Sequence, residues 1–226
     1  MILLIETATN VCSVGLVKNG QLIAQKRAEK QMSHASLLTI TIQALIADNQ
    51  IEMSSLEAVA ISIGPGSYTG LRIGLSTAKG ICYALNIPLI AVDTLKSLAW
   101  KTQQLYPKAT YFVPMIDARR MEVYTSIYDF GLNEVIERQA KIIDESSFQE
   151  LLAKEKTVVF AGNGAMKCAE TLENSNAKFI ELDCSAENLP ALANDAFLRK
   201  DFADMAYIEP FYLKSPNITK PKKIKW

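Results

Sequence analysis

Gly64-Pro65-Gly66-Ser67-Tyr68-Thr69-Gly70-Leu71-Arg72-Ile73-Gly74 is the stretch of this chain best composed for chemistry. It follows the apolar run Ala58–Ile63 and precedes a long helical pattern, so it reads as strand, glycine loop and helix start. Glycines supply positive φ and let a ligand or another backbone approach closely, while Ser67 and Thr69 can cap the orphan N–H groups of the helix that follows. A helix start of this kind suits an anion. The loop is neither common phosphate cradle: Leu71 follows Gly70 where a Walker loop needs lysine, and Gly64-x-Gly66-x-x-x-Gly70 misses the dinucleotide spacing by one residue. A tight turn that packs the helix onto its own sheet is the competing reading.

Other chemistries find few residues. His34 is the only histidine, which argues against zinc hydrolysis and histidine-dependent triads and leaves it a capping or surface role. Cys12, Cys82, Cys168 and Cys184 are widely spaced, form no Cys-x-x-Cys pair, and read as reduced thiols. With 24 basic and 24 acidic side chains the bulk charge cancels, unlike the footprint of an autonomous nucleic-acid binder. The apolar start meets Glu6 too early for a signal peptide, and no apolar run approaches the roughly 18 residues that span a bilayer, so a soluble cytoplasmic protein without membrane contact is expected.

The elements that must position the loop follow from periodicity. Met1–Ile5, Val11–Val17 and Leu22–Gln25 read as three antiparallel strands, the last two joined by the hairpin signal Asn19-Gly20. Ser33–Asn49 reads as a helix that Leu37, Leu38, Ile40, Ile42, Leu45 and Ile46 nearly encircle, more apolar surface than one sheet covers. Ser54–Glu57 resembles a capping box, and then come the strand Ala58–Ile63, the helix Leu71–Asn86, the strand Pro88–Val92 and a helix capped by Thr94 that ends near Pro107. On the helix after the loop, Gly70, Gly74 and Ala78 fall four apart with Thr77 beside them, while Arg72 and Lys79 flank them. That small-residue face fits close approach either to the chain's own sheet or to a partner helix.

The second half repeats the order. Strands are expected at Thr110–Asp117, Glu122–Tyr128, Glu134–Ala140, Thr157–Ala161 and Lys178–Leu182, and helices at Asp144–Lys156, Ala165–Leu172 and Pro190–Arg199. Both halves thus read βββαβαβα, a duplicated α/β fold with mixed sheets and an N-terminal lobe at 1–107, a C-terminal lobe at 108–213 and a basic tail at 214–226. Two such halves facing each other across a cleft describe the actin, Hsp70 and sugar kinase architecture.

Ile5-Glu6-Thr7-Ala8-Thr9, the glycine loop, Asp117-Ala118-Arg119-Arg120 with Glu122-Val123-Tyr124, and Pro210-Phe211-Tyr212-Leu213 together resemble the bacterial TsaB (YeaZ) family, from residue 1 to about residue 215. The resemblance implies a non-catalytic subunit that supports TsaD in the threonylcarbamoyl modification of the adenosine beside the anticodon, in tRNAs reading codons that begin with A. It implies pairing with TsaD through the N-terminal lobes, joined by the ATPase TsaE, a homodimer when TsaD is absent, and tRNA contact only through the complex. The partner face would then comprise Leu37, Thr41 and Leu45 with Gly70, Leu71, Arg72, Gly74, Thr77 and Ala78. Active members of the architecture hold metal and phosphate with an aspartate in the turn between the first two strands. Glu6 and Thr7 stand at that turn, Asp117 at its counterpart in the second half, and Gly162 and Gly164 where an adenosine loop lies, so a vestigial nucleotide site is implied at these five residues. No cofactor or metal would be required, and ATP or ADP would bind weakly. An ATP-binding or ATP-hydrolysing enzyme of the same fold is the alternative. The lysines of the tail read as solvated, or as contacts to tRNA phosphates.

Overall fold

The computed structural model describes residues 1–28, 34–153 and 156–215. Its first sheet is built from β1 (Ile2–Glu6), β2 (Ser13–Lys18), β3 (Gln21–Arg27), β4 (Ala58–Ser62) and β5 (Leu89–Val92) in the order β3-β2-β1-β4-β5. The first three strands are antiparallel neighbours, and β4 and β5 join in parallel through helical crossovers. The second sheet repeats this arrangement with β6 (Tyr111–Asp117), β7 (Glu122–Asp129), β8 (Glu134–Ile142), β9 (Val158–Ala161) and β10 (Ala177–Ile180) in the order β10-β9-β6-β7-β8. The duplication that the order of elements predicts is therefore present, strand for strand.

Alternation along the strands gives each sheet two apolar faces. In the first sheet Leu3, Ile5, Val59 and Ile61 pack against α1 (His34–Asp48) and α2 (Tyr68–Leu85), while Ile2, Leu4, Ala58 and Ala60 pack on the opposite face against α5 (Pro190–Arg199). In the second sheet Val113, Met115 and Phe160 meet α4 (Gln149–Leu152) and the short turn Met166–Cys168, while Phe112, Ile116 and Val159 meet α3 (Thr94–Leu105). The helix that ends each half thus covers the sheet of the other half.

Several local expectations are corrected. The helix predicted at Asp144–Lys156 shrinks to α4, because Asp144 accepts from the backbone of Ser146 and the hydroxyls of Ser146 and Ser147, folding its own turn instead of opening a helix. The helix predicted at Ala165–Leu172 is a 3-10 turn over Met166–Cys168. Ser54–Glu57 caps no helix: Met53–Ser55 make one 3-10 turn and Glu57 pairs with the N-terminal amine. Asp93 caps α3 by accepting from Lys96 N at 2.8 Å, while the Thr94 hydroxyl accepts from Gly64 N at 3.1 Å and ties the glycine loop to the helix start. Along α1 the apolar stripe is covered more fully than its pattern implies: Leu38, Ile42, Leu45 and Ile46 are buried against the sheet and α2, and Ile40 alone of the six is exposed. His34 opens α1, and its side chain lies outside the described residues, as does the tail from 216 to 226.

Candidate functional site

The glycine loop is shaped by what lies beneath it. Ser67 caps α2 by accepting from Gly70 N at 3.2 Å, and Ser67 N donates to Ala8 O at 2.6 Å, so the loop is stitched to the β1–β2 turn. A Cβ at Gly66 would come within 2.8 Å of the Ala8 methyl, and one at Gly70 would strike the carbonyl of Thr7. The loop's glycines therefore admit the neighbouring turn. Gly74 does the same one helical turn later: a methyl there would collide with the Thr7 hydroxyl and lie 2.8 Å from Ile61 Cδ1.

Glu6 is turned away from the cleft. Its side chain is fully buried, and Oε1 accepts from Ala8 N at 2.7 Å and from the Ser62 hydroxyl at 2.6 Å. The longer glutamate arm folds back to cap its own turn. Oε2 has no partner, nor has the adjacent Thr7 hydroxyl. Burial pushes the Glu6 carboxyl up to about 7, with the hydrogen bonds from Ser62 and Ala8 offsetting only part of the desolvation. Of the residues assigned to the implied nucleotide site, Glu6 and Thr7 are therefore buried and do not line the cleft, whereas Asp117 does.

The matching turn of the second half remains open. Asp117 is exposed, Asn163 Oδ1 accepts from its N–H at 2.9 Å, and its carboxylate accepts from Arg119 N and pairs with Lys167. Lys167 also donates to the carbonyls of Arg120 at 2.6 Å and Glu122 at 2.7 Å, which fixes the turn. Gly162 and Gly164 are buried and serve packing: a Cβ at Gly162 would strike the carbonyl of Met115, and one at Gly164 would lie 2.9 Å from Asp117 N. The side chain the loop offers to the cleft is Asn163.

Between the two turns lies a cleft of about 690 Å³, lined by Ala8–Asn10 and Gly66–Thr69 from the first half, and by Ile116–Arg119, Tyr124 and Asn163 from the second. Residues Tyr212–Ser215 line its remaining wall. This C-terminal strap is anchored on both sides. Phe211 N donates to Ile63 O at 2.7 Å, the Tyr212 ring packs on Tyr68 with centroids 4.7 Å apart and planes tilted by 32°, and the Tyr212 hydroxyl accepts from Arg72 Nε at 3.1 Å. On the opposite lobe Lys214 Nζ donates to both carboxylate oxygens of Glu122, at 2.8 and 2.6 Å. Behind the strap, Arg138 on β8 pairs with Asp93 at the start of α3 and with Glu134, under the ring of Phe211. Burial holds the Asp93 carboxyl above its usual range, with its bond from Lys96 and the Arg138 charge opposing.

α2 presents two different faces. Gly70, Leu71, Gly74 and Ala78 are buried in the chain's own core, as are Thr41 and Leu45 of α1. These six, assigned to the partner face, lie in the interior of the chain, with the β1–β2 turn filling the space beside Gly70 and Gly74. Of the residues assigned to that face, Arg72 is exposed, and Leu37 and Thr77 are half-buried. The sequence reading missed the opposite side of α2, where Ser76, Gly80 and Ala84 are exposed in an i, i+4 row beside half-buried Ile73 and Thr77. A Cβ at Gly80 would meet nothing within 4 Å. The same four-residue spacing, offset by two positions from Gly70-Gly74-Ala78, was the available signal. Among the described residues no group of three histidine, cysteine, aspartate or glutamate side chains could hold a metal, and no helix is long and apolar enough to cross a membrane. The four cysteines are free and buried.

Residues 23–218 match the model of the family described as "TsaD: tRNA N6-adenosine threonylcarbamoyltransferase". The chain belongs to the TsaD family. Within it, the full-length likeness is to members named TsaB or YeaZ. The tRNA threonylcarbamoyladenosine biosynthesis protein TsaB of Bacillus subtilis is 28% identical over 94% of this chain and 93% of its own length. The protein of that name from Escherichia coli is 27% identical over 95% of this chain and 94% of its own length. YeaZ from Pseudomonas aeruginosa superposes with a TM-score of 0.80 at 25% identity, covering 94% of this chain and 99% of that one. The activator of 2-hydroxyisocaproyl-CoA dehydratase from Clostridium difficile shares the fold at a TM-score of 0.51 and 11% identity. The likeness in fold agrees with the two mixed α/β halves that the duplicated order of elements predicts.

Proposed function

We propose that this chain takes part in tRNA threonylcarbamoyladenosine biosynthesis as a non-catalytic scaffold that docks on a TsaD enzyme through the outer face of α2. The TsaD-family match and the TsaB names of its full-length relatives support the pathway. The observation that carries the scaffold role is the row Ser76, Gly80 and Ala84. An exposed glycine in mid-helix costs roughly 1 kcal/mol relative to alanine, and small side chains let a second helix approach closely across Ile73, Thr77 and Arg72. The buried carboxyl of Glu6 also supports a role without chemistry in the cleft, because the acid best placed by topology to hold metal and phosphate is turned into the core. On this reading TsaE joins the pair, and the same α2 face forms a homodimer when TsaD is absent. No cofactor is needed, and ATP or ADP would bind the cleft weakly.

The test is Gly80→Arg. The Cβ of an arginine there meets nothing within 4 Å, and arginine is the better helix former, so the melting temperature of the monomer should not fall. Size-exclusion chromatography with light scattering, on mixtures with the TsaD enzyme of the same organism, should show a stoichiometric complex for the natural chain and separate components for the variant. A variant that binds as well as the natural chain removes α2 from the interface. Turnover of ATP by the isolated chain that is abolished by Asp117→Asn would favour the enzyme reading instead.

A further inference from the structure

We propose that Arg72 relays docking on the outer face of α2 to the cleft, by fixing the strap that forms one of its walls. The inference rests on the reading above that a TsaD enzyme docks on α2, and it adds a consequence for the cleft that docking alone does not require.

Arg72 belongs to two structures at once. By four-residue spacing it is the first member of the exposed row that continues through Ser76, Gly80 and Ala84, so a helix laid along that row must meet its guanidinium. The same group lies over the Tyr68 ring at 4.3 Å and donates from Nε to the Tyr212 hydroxyl at 3.1 Å. Tyr68 and Tyr212 both line the cleft. Among the described residues no carboxylate pairs with Arg72, so its two terminal nitrogens stay uncommitted. The charged residues of α2 are Arg72 and Lys79, with no acid among them, and the partner group that suits this helix is a carboxylate. A guanidinium holds five donors in a fixed plane. A partner carboxylate can therefore take the terminal nitrogens while Nε keeps Tyr212.

The strap has two fastenings besides Arg72, one on each lobe. At its entry Phe211 N donates to Ile63 O, and a Cβ at Gly64 would strike the carbonyl of Phe211, so the strap lies directly on the glycine loop. Two residues beyond Tyr212, Lys214 crosses to Glu122 on the other lobe. The Lys214 side chain is 49% exposed, and pairs of that kind add little. Arg72 is exposed as well, so the free chain has a released state of the strap within thermal reach. A docked partner that immobilises Arg72 favours the held state, and the wall stiffens from Tyr68 to Glu122. By linkage, whatever loosens the strap weakens docking by the same factor.

The test follows hydrogen exchange at the Phe211 amide, by mass spectrometry of the peptide that carries it, in the chain alone and in its complex with the TsaD enzyme of the same organism. Exchange at this amide reports local opening of the strap. Docking should slow it by about tenfold. Tyr212→Phe keeps a ring against Tyr68 and removes the oxygen that accepts from Arg72; its complex should be about fivefold weaker and show no slowing at Phe211. Equal slowing in the natural and Tyr212→Phe complexes would overturn the proposal, because the partner would then be covering the strap directly. So would unchanged exchange in a complex that light scattering shows to be stoichiometric. That outcome fails this inference alone, whereas the absence of any complex fails the docking reading and takes this one with it.

Discussion

Glu6→Gln is the most informative single change. The carboxyl of Glu6 ordinarily titrates near 4.5, and burial raises it to about 7 in the folded chain. Between these values the folded protein holds a proton that the unfolded chain has released, so stability falls as pH rises through that window and is lowest above it. Each pH unit across the gap is worth about 1.4 kcal/mol. Integrating the two titration curves gives a loss of about 2.5 kcal/mol between pH 5 and pH 8 from this group alone. Glutamine keeps the carbonyl that accepts from Ala8 N and Ser62 Oγ, and it carries no titrating proton. Urea unfolding of both proteins at pH 5, 6, 7 and 8 should show the natural chain losing about 2.5 kcal/mol relative to the variant across the series. Whatever the glutamine amide costs at the position of Oε2 shifts the variant by a constant and leaves that difference intact. Parallel profiles would refute the reasoning, since they would mean that Glu6 is ionised in the folded state and solvated from the cleft.

Two further outcomes follow from packing. Gly74→Ala should destabilise by about 1–3 kcal/mol, because its methyl meets Thr7 and Ile61, whereas Gly80→Ala, in open space on the same helix, should stabilise by about 0.5–1 kcal/mol; equal effects in urea unfolding would dissolve the distinction between the faces of α2. Arg138→Ala should cost roughly 2–4 kcal/mol by leaving Asp93 without its countercharge, toward the lower part of the range for a broken buried pair because a third of Arg138 stays exposed. Adding Asp93→Asn to that variant should recover part of the loss in thermal melts.

Much of this fold is legible in the sequence. The order of elements along the chain, the first hairpin and the duplication followed from period-two runs and turn residues, which depend on local sequence. The failures are of another kind. Gly70, Gly74 and Ala78 look like an interface because small spacing marks close approach, but spacing does not say what approaches; here Thr7 arrives from a turn some 65 residues earlier in the chain. Glu6 was placed in a vestigial nucleotide site by its position in the turn, but position does not say which way a side chain points; here it folds onto Ala8 N and Ser62. The helix predicted at Asp144 shrank for a local reason, as the hydroxyls of Ser146 and Ser147 and the carboxylate of Asp144 satisfied each other in a turn; nothing comparable explains the 3-10 turn that replaces the helix predicted at Ala165. Nothing in the sequence announced that α3 and α5 would each cover the other half's sheet.

That exchange makes the two halves a dovetail joint. A cut in the loop between α3 and β6 would leave one piece holding α3 without the sheet it shields, and another holding α5 in the same condition. Each piece would expose an apolar sheet face that only the other can cover, so neither should persist alone in solution, while the two mixed together should reassemble. The cleft between them is then hung on interlocked parts, and its walls slide only as far as two borrowed helices allow.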